Sequence, residues 1–174
     1  MHSDTDSREP GHRRIGCLLL IRNSSGRVLL VKPSYRPTWQ PVGGGAQPDE
    51  TPWEAARREA AEETGIPDPH VGDLLIVDYT PRSPVTGTVE GYNFLFDGGV
   101  LPDGTDIVLP DARPGQHREL TDWQFVPPER LGDYCNAAQH RRMAAALKAL
   151  ADPRLRRILI EGQPVTGTGP HNPR

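Results

Sequence analysis

Three glutamates of this 174-residue chain, Glu59, Glu62 and Glu63, lie close together in the segment TPWEAARREAAEETGI. At 3.6 residues per helical turn, Glu59 stands one turn before the other two, so the three carboxylates share one flank of a helix. Like-charged neighbours at this spacing cost about 0.2–0.5 kcal/mol per pair. The helix dipole also disfavours each anion near the C-terminal end by about 0.3–1 kcal/mol. These glutamates are unfavourable for the stability of the helix, although its capping residues favour helix formation. Such a conflict indicates a functional site.

A hard divalent cation would relieve this crowding of negative charge. Carboxylate oxygens in the absence of nitrogen and sulfur ligands suit Mg²⁺ or Mn²⁺ rather than zinc. Arg58 offers partial relief by pairing with Glu62 or with Glu54, each one helical turn away. One cation does not neutralise the whole cluster. The alternative is a solvated acidic face with ordinary ion pairs, and the helix alone leaves both interpretations open.

The helix that carries these glutamates is predicted from Thr51 to Thr64. Thr51 is a favourable N-cap, Pro52 fits the first helical position, and Glu54 completes a capping box. Gly65 stands where a left-handed residue would end the helix. The face predicted to pack on the core carries Trp53, Ala56, Ala60 and Thr64.

The segments around this helix predict a mixed sheet. Two β-rich runs joined by NSSG, Ile15–Arg22 and Arg27–Lys32, are typical of a hairpin. Strands that outnumber helices, with one helix in mid-chain and one near the end, predict an α+β fold in which helices pack on both sides of the sheet. The further predicted elements are strands at Val71–Thr80, Val89–Phe96, Asp106–Leu109 and Thr121–Val126, and a helix at Ala137–Ala151.

The length and composition of the chain predict one soluble domain with disordered termini. We expect a disordered arm over residues 1–12, a folded domain over residues 13–160 and a flexible tail over residues 161–174. The net charge of -3 provides no general attraction for a nucleic acid polymer or a membrane surface. The longest apolar run, Ile15–Ile21, is far shorter than the roughly 20 residues of a membrane span. Cys17 and Cys135 lack CxxC or histidine partners, which indicates reduced thiols and a cytoplasmic protein.

The residues before the helix extend its pattern into a longer motif. It consists of Gly44, Glu50, Arg58-Glu59-Ala60, Glu62-Glu63 and Gly65-Ile66. This motif resembles the signature of the Nudix hydrolase family. A common amino acid occupies roughly one position in fifteen, so the seven fixed identities of the motif, which leave out Ala60 and Ile66, would coincide by chance about once in 10⁸ positions. Two departures from the family pattern stand at Pro41, one place earlier than the usual proline, and at Ala60, where a larger aliphatic residue is usual.

The resemblance implies an α/β/α sandwich and the metal-dependent hydrolysis of a phosphoanhydride bond in a nucleoside diphosphate linked to another moiety. The substrate would be a small nucleotide-type molecule and not a nucleic acid polymer. The resemblance does not distinguish between five alternative substrates: nucleoside triphosphates, nucleotide sugars, dinucleotide polyphosphates, ADP-ribose and NADH. Relatives often pair as dimers, which leaves a homodimer as one alternative for the oligomeric state.

The resemblance also implies a role for each residue of the motif. Glu59, Glu62 and Glu63 would ligate Mg²⁺ or Mn²⁺, supported by Glu50 and by the carbonyl of Gly43. Metal ions of this kind neutralise bridging phosphate oxygens and lower the pKa of a bound water.

Proton transfer and substrate contacts are assigned in the same way. Arg58 would orient the carboxylates, and a glutamate would accept the proton of the attacking water. In the family this base lies in the motif, here Glu62 or Glu63, or in a later loop, where Glu119 is the candidate. Residues without Cβ let the backbone approach a diphosphate closely, which assigns substrate contacts to Gly43, Gly44 and Gly45. Three residues before these glycines have side chains that could contact phosphate or stack on a base: Lys32, Tyr35 and Arg36.

Two other functions share this fold. A nucleotide-binding regulatory module with little catalysis is disfavoured by the intact set of motif carboxylates. An isoprenoid diphosphate isomerase would need a reactive cysteine, and neither Cys17 nor Cys135 stands in a setting that favours reactivity.

Overall fold

Eight strands and three helices make up the computed structural model, which describes residues 13–85, 87–112, 115, 117–155 and 157–165. The helices are α1 (Pro52–Thr64), α2 (Leu131–Tyr134) and α3 (Ala137–Ala151), with 3₁₀ turns at Pro128–Arg130 and Pro153–Leu155. The strands are β1 (Arg14–Asn23), β2 (Val28–Pro33), β3 (Gln40–Gly45), β4 (Leu74–Thr80), β5 (Gly91–Leu101), β6 (Leu120–Val126), β7 (Arg157–Ile160) and β8 (Gln163–Pro164). The predicted arm over residues 1–12 lies outside the described residues.

The described strands form one mixed sheet in the order β6-β2-β3-β1-β5-β4-β7-β8. The pairs β1–β5 and β4–β7 are parallel, and the other neighbours are antiparallel. The predicted hairpin of the first two strands is confirmed, with Arg22 opposite Val28. No described helix is long and apolar enough to cross a membrane.

The sheet is buried on both faces along β1, whose side chains alternate between two apolar clusters. Cys17 and Leu19 belong to the cluster beneath α1, and Leu20 belongs to the cluster beneath α3. Asp78 of β4 is fully buried on the α3 side, where it pairs with Arg142 of α3 at 2.6 Å. Helices on both sides of a mixed sheet confirm the predicted α/β/α sandwich.

Both ends of α1 are confirmed. Thr51 accepts a hydrogen bond from the backbone of Glu54 at 3.3 Å, and the Glu54 carboxylate accepts one from the backbone of Thr51 at 3.0 Å. Gly65 ends the helix with φ of 72°. Because Glu54 serves this cap, the pairing of Glu54 with Arg58 that the spacing suggested is not made.

The packing face of α1 differs from the prediction at Trp53, which is 43% exposed. Its indole Nε1 donates to the carbonyl of Val71 at 3.1 Å. An indole would hold the helix away from the sheet, whereas alanines let it approach closely. The buried side carries Ala55, Ala56, Ala60, Glu63 and Thr64.

The strand predicted at Asp106–Leu109 is wrong, because this segment is irregular. The glycine cluster before α1 is the end of strand β3, which pairs with the distant strand β1, and local propensity does not report such pairing. Near the C-terminal end, Gln163 and Pro164 form β8 and pair with β7. The flexible tail over residues 161–174 stays a prediction, and residues 166–174 lie outside the described residues.

Candidate active site

Arg58 is the centre of the charged network on α1. Its guanidinium donates two hydrogen bonds to the carboxylate of Glu50, at 2.8 and 2.9 Å. It also donates to Glu59 Oε1 at 2.9 Å and to the carbonyl of Gly45 at 3.0 Å, while the predicted contact with Glu62 is longer, at 3.5 Å. Hydrogen bonds from Arg58 and from the backbone hold the pKa of Glu50 at about 2, so this carboxylate stays ionised.

Glu63 is the buried member of the glutamate cluster, with 8% of its surface exposed. The backbone N–H of Gly43 donates to Glu63 Oε2 at 2.7 Å. Burial raises the pKa of Glu63 to about 8; the Gly43 hydrogen bond opposes this rise, and the charges of Glu59, Glu119 and Glu62 add to it. The structure therefore places a carboxyl group where ionisation is costly unless a cation accompanies it.

The glycines of β3 make room for these carboxylates. A Cβ at Gly44 would collide with the carboxyl group of Glu59, so a larger residue there would displace that carboxyl group. Gly43 has φ of +131°, and a Cβ there would collide with the backbone of Cys17. Burial also raises the pKa of Glu59, although its hydrogen bond with Arg58 opposes the rise.

A cleft of about 430 Å³ brings together four of the five predicted carboxylates, and the fifth, Glu50, does not line it. One wall is the last two turns of α1, with Glu59, Glu62 and Glu63. The other wall is the segment between β5 and β6, which places Glu119 in the same cleft. A residue that accepts the proton of the attacking water has to lie there. The residues of this second wall are Pro110, Asp111, Ala112, His117, Glu119 and Leu120.

Two titratable residues that line the cleft, Asp111 and His117, were not predicted from the sequence as site residues. Asp111 is exposed and forms an ion pair with Arg118 at 2.6 Å. His117 stands two residues before Glu119 in the same loop, and this proximity is the signal in the sequence that could have identified it.

The second wall of the cleft is attached to α1 and to β2. The backbone N–H of Val108 donates to the carbonyl of Thr64 at 2.9 Å, and Ile107 beside it is 5% exposed. Further along, the N–H of Ser34 donates to the carbonyl of Glu119 at 2.8 Å. The segment around Val108 therefore bonds to the end of a helix, which explains why it does not pair as a strand.

Lys32, Tyr35 and Arg36 do not line this cleft. The Lys32 ammonium donates to the carbonyls of Arg36 and Pro37, at 2.8 and 2.5 Å, and so fixes the loop before β3. The guanidinium of Arg36 lies 5.1 Å from the centroid of the Tyr35 ring, and Tyr35 is 59% exposed. Their contact with substrate stays a prediction.

Within the described parts of the chain, no group of three or more His, Cys, Asp or Glu side chains is arranged to hold a metal ion. One oxygen of Glu59 is bonded to Arg58, and one oxygen of Glu63 is bonded to the N–H of Gly43. The donor chemistry nevertheless fits a hard divalent cation, because every candidate ligand in the cluster is a carboxylate oxygen and the pKa values of Glu59 and Glu63 are raised.

The two cysteines are unpaired and buried. Burial raises the pKa of Cys17 to about 11 and that of Cys135 to about 12. Both thiols are therefore protonated at neutral pH, and neither is suited to act as the reactive cysteine of an isomerase.

The family model described as NUDIX domain matches residues 12–147, which is most of the chain. The chain therefore belongs to the Nudix hydrolase family and is a hydrolase acting on acid anhydrides. Members of this family generally use divalent metal ions.

Similar proteins differ in the substrates that their names state. An RNA pyrophosphohydrolase of Rhodopseudomonas palustris (strain HaA2) is 33% identical over 129 residues, which are 67% of this chain and 72% of that protein. A diphosphoinositol polyphosphate phosphohydrolase 2 of Rattus norvegicus is 41% identical over 63 residues, which are 36% of this chain and 35% of that protein.

Solved structures share the fold. A MutT protein from Methanosarcina mazei Go1 has a TM-score of 0.63 and 27% identity, over 80% of this chain and 96% of that chain. An Ap4A hydrolase of C. elegans has a TM-score of 0.61 and 23% identity, over 79% of this chain and 95% of that chain.

Proposed function

We propose that the protein catalyses the divalent-cation-dependent hydrolysis of a phosphoanhydride bond in a nucleoside diphosphate linked to another moiety. The observation that carries this proposal is the convergence of Glu59, Glu62, Glu63 and Glu119 on one cleft. Four carboxylates around one space repel one another, and a cation stabilises their ionised forms. A diphosphate is a substrate that binds to the same cation.

Glu59, Glu62 and Glu63 would hold the ion, with support from Glu50 and the carbonyl of Gly43. When bound, Mg²⁺ or Mn²⁺ neutralises phosphate oxygens and lowers the pKa of a coordinated water. The donor set is entirely oxygen, which supports these two ions over zinc.

The remaining residues orient groups and move the proton. Arg58 holds Glu59 and Glu50 in place through its hydrogen bonds. Glu119 lies on the opposite wall and forms no ion pair with any other residue that the structure describes, so its carboxylate is available to accept the proton of the attacking water. The backbone of Gly44 and Gly45 would approach the diphosphate.

The substrate class is proposed as a small nucleotide derivative. The net charge of -3 supports a small molecule over a long polyanion, because the chain offers no general attraction for a polymer. The relatives named as acting on RNA and on a diphosphoinositol polyphosphate add two compounds to the candidate substrates. The two unpaired thiols support a cytoplasmic location.

A substrate screen in MgCl₂ or MnCl₂, with products identified by mass spectrometry, tests this proposal. The compounds are a nucleoside triphosphate, a nucleotide sugar, a dinucleotide polyphosphate, ADP-ribose, NADH, a 5′-triphosphorylated RNA and a diphosphoinositol polyphosphate. We expect turnover of at least one nucleotide derivative and loss of this turnover in EDTA. Nucleotide binding without turnover in either ion would instead favour a regulatory module.

The residue assignment is tested by Glu62→Gln, which removes one charge from the cleft at little change in shape. We expect turnover to fall by about 100-fold or more, with thermal stability equal or higher because the repulsion within α1 is relieved. Glu129→Gln is the matched control, since Glu129 is exposed on a 3₁₀ turn and does not line the cleft. Full activity in Glu62→Gln would rule out the assignment.

A further inference from the structure

The guanidinium of Arg14 lies on the α3 side of the sheet, at the start of β1. A Cβ at Gly16 would collide with Arg14 Nη1 and with Asn93 Oδ1, so these groups cover the backbone there. Arg14 Nη2 donates to Asn93 Oδ1 at 2.7 Å, and Asn93 is 3% exposed. Arg14 forms no ion pair within the part of the chain that the structure describes. A partly buried positive charge is therefore compensated only by a neutral amide.

Arg36 brings a second positive charge close to Arg14. Burial lowers the pKa of Arg14, and the charges of Arg142 and Arg36 lower it further. Arg142 is neutralised by Asp78, 2.6 Å away. Arg36 is exposed and has no ion-pair partner among the described residues. Two guanidinium groups without a carboxylate partner repel each other at this end of the sheet, and this repulsion favours the binding of an anion.

The backbone and side-chain contacts around these two arginines are fixed. Asn93, which accepts from Arg14, donates from Nδ2 to Thr80 Oγ1 at 3.0 Å, so its amide is oriented from both sides. The ammonium of Lys32 donates to the carbonyl of Arg36 at 2.8 Å and holds the loop that carries Arg36. Groups that are held before a ligand arrives lose less conformational entropy when it binds.

Gln139 adds an unused hydrogen-bond acceptor near the two arginines. It stands one helical turn before Arg142 on the buried side of α3 and is 9% exposed. The N–H of Trp39 donates to the carbonyl of Tyr134 at 2.9 Å, which places the segment before α3 beside the loop of Arg36. The Gln139 Oε1 atom is buried and accepts no hydrogen bond from a described residue. A buried acceptor of this kind requires a donor, which a hydroxyl group of a ligand provides.

Gly45 leaves open space between this region and the glutamate cleft. It pairs with Gly16 of β1, two residues from Arg14, so that the separation is about 5 Å across the strands and about 7 Å along β1. The nearest atom to a Cβ at Gly45 would be the Ile15 carbonyl oxygen, 4.0 Å away. The carbonyl of Gly45 accepts from Arg58, which belongs to the network of the cleft. A ligand that passes Gly45 can therefore approach Arg14 at one end and the cleft at the other.

Phosphate is the anion that suits two guanidinium groups. A carboxylate has two oxygens, which one arginine engages fully, whereas a phosphate group has enough oxygens to accept from two arginines at once. An anionic group together with a hydroxyl, for Gln139, is the chemistry of a phosphorylated sugar or polyol.

We propose that Arg14 and Arg36 bind a phosphate group on the moiety that is linked to the nucleoside diphosphate, and that Gln139 accepts a hydrogen bond from a hydroxyl of the same moiety. The substrate class is then a nucleoside diphosphate linked to a phosphorylated sugar or polyol. This assignment of a substrate rests on the proposed function, whereas binding of the phosphorylated moiety itself requires no catalysis.

Calorimetric titration of the full chain with a myo-inositol trisphosphate, in EDTA, tests the arginine site. Without a divalent cation the carboxylates of the cleft repel phosphate, so the measured affinity reports the arginines. Arg14→Gln and Arg36→Gln should each weaken binding by about 10-fold or more. Arg27→Gln, which changes an exposed arginine in the β1–β2 turn, is the matched control and should bind as the wild type does. A wild-type chain that does not bind, or an Arg36→Gln variant that binds as tightly as Arg27→Gln, would overturn the proposal.

Two further ligands test the chemical class. Inorganic phosphate should bind more weakly than the trisphosphate by about 10-fold or more, and uncharged myo-inositol should not bind measurably. Gln139→Met retains the size of the side chain and removes its acceptor. It should weaken binding of the trisphosphate by about 3-fold or more and leave that of inorganic phosphate unchanged. Equal affinity for phosphate and trisphosphate would contradict a site for a phosphorylated sugar or polyol.

The Glu62→Gln variant separates this proposal from the catalytic one. It should bind the trisphosphate in EDTA as the wild type does, although its turnover is expected to be lost. Binding by the wild type without turnover of any substrate would contradict the proposed function alone. Turnover with no binding of the trisphosphate would contradict the arginine site alone.

Discussion

Replacing Glu63 with glutamine is predicted to change how the stability of the metal-free protein depends on pH. Burial raises the pKa of the Glu63 carboxyl to about 8 in the folded chain, whereas an unfolded glutamate has a pKa of about 4.3. Between these values the folded protein holds a proton that the unfolded chain has released. The free energy of unfolding of the wild type therefore falls as the pH rises through this window.

The size of the effect follows from the slope of this dependence. One proton corresponds to about 1.4 kcal/mol per pH unit, so the loss between pH 5 and pH 7 is on the order of 3 kcal/mol. Glutamine does not ionise, and its side-chain oxygen still accepts the hydrogen bond that the Gly43 N–H donates to Glu63 at 2.7 Å. Glu63→Gln should therefore match the wild type at acid pH and exceed its stability at neutral pH.

Urea unfolding in EDTA, followed by tryptophan fluorescence at several values between about pH 5 and about pH 8, measures this difference. Addition of Mg²⁺ should restore stability to the wild type and less to Glu63→Gln, because the ion favours the ionised carboxylate. Equal pH slopes for the two proteins, or a variant that is less stable at neutral pH, would show that Glu63 is not protonated in the folded chain at neutral pH.

Three further substitutions have expected outcomes. Arg58→Lys loses the two-bond contact with Glu50 and should lower turnover by about 10- to 100-fold, measured by steady-state kinetics. Gly44→Ala displaces the carboxyl group of Glu59 and should weaken Mn²⁺ binding by about 10-fold, measured by calorimetry. Asp78→Asn removes one charge of the buried ion pair between β4 and α3 and should lower the free energy of unfolding by about 3–5 kcal/mol, measured in urea.

Each of these substitutions has a matched control. Arg27→Lys changes an exposed arginine in the β1–β2 turn and should leave turnover unchanged. Gly45→Ala should preserve Mn²⁺ affinity, because the nearest atom to a Cβ there, the Ile15 carbonyl oxygen, is 4.0 Å away. Asp106→Asn changes an exposed carboxylate and should alter the free energy of unfolding by less than about 0.5 kcal/mol. A control that changes as much as its partner would contradict the mechanism given for that partner.

The ends of α1 were predicted from the sequence because helix caps depend on neighbouring residues. Thr51, Pro52, Glu54 and Gly65 carry that signal, and the structure contains the capping-box hydrogen bonds and a left-handed Gly65. The packing face was predicted less well, since Trp53 has the hydrophobicity of a core residue but a volume that does not fit between α1 and the sheet.

The end of strand β3 was not predicted, because glycine has a low intrinsic preference for strands. Gly43, Gly44 and Gly45 belong to strand β3 because Leu18, Cys17 and Gly16 of β1 pair with them. Pairing of this kind joins segments that are far apart in the sequence. The same reason explains why β7, which pairs in parallel with β4, was not predicted.

The part of the candidate site that lies on helix α1 could be predicted from the sequence. The clustering of Glu59, Glu62 and Glu63 follows from helical periodicity alone. The approach of Glu119 to the same cleft depends on the path of the segment between β5 and β6, and the resemblance to a family, rather than periodicity, indicated it. His117 carried no signal apart from its position near Glu119.

The hydrogen bond from Val108 to Thr64 joins the loop wall of the cleft to the terminal turn of α1. Gly65 tightens this joint, since a Cβ there would lie 2.9 Å from the Cβ of Val108. This hydrogen bond couples the two walls, so that they move together. Fraying of the last helical turn would release Glu63 and, at the same time, loosen the loop that leads to Glu119. The distance between the two walls of the cleft therefore depends on whether this turn stays folded.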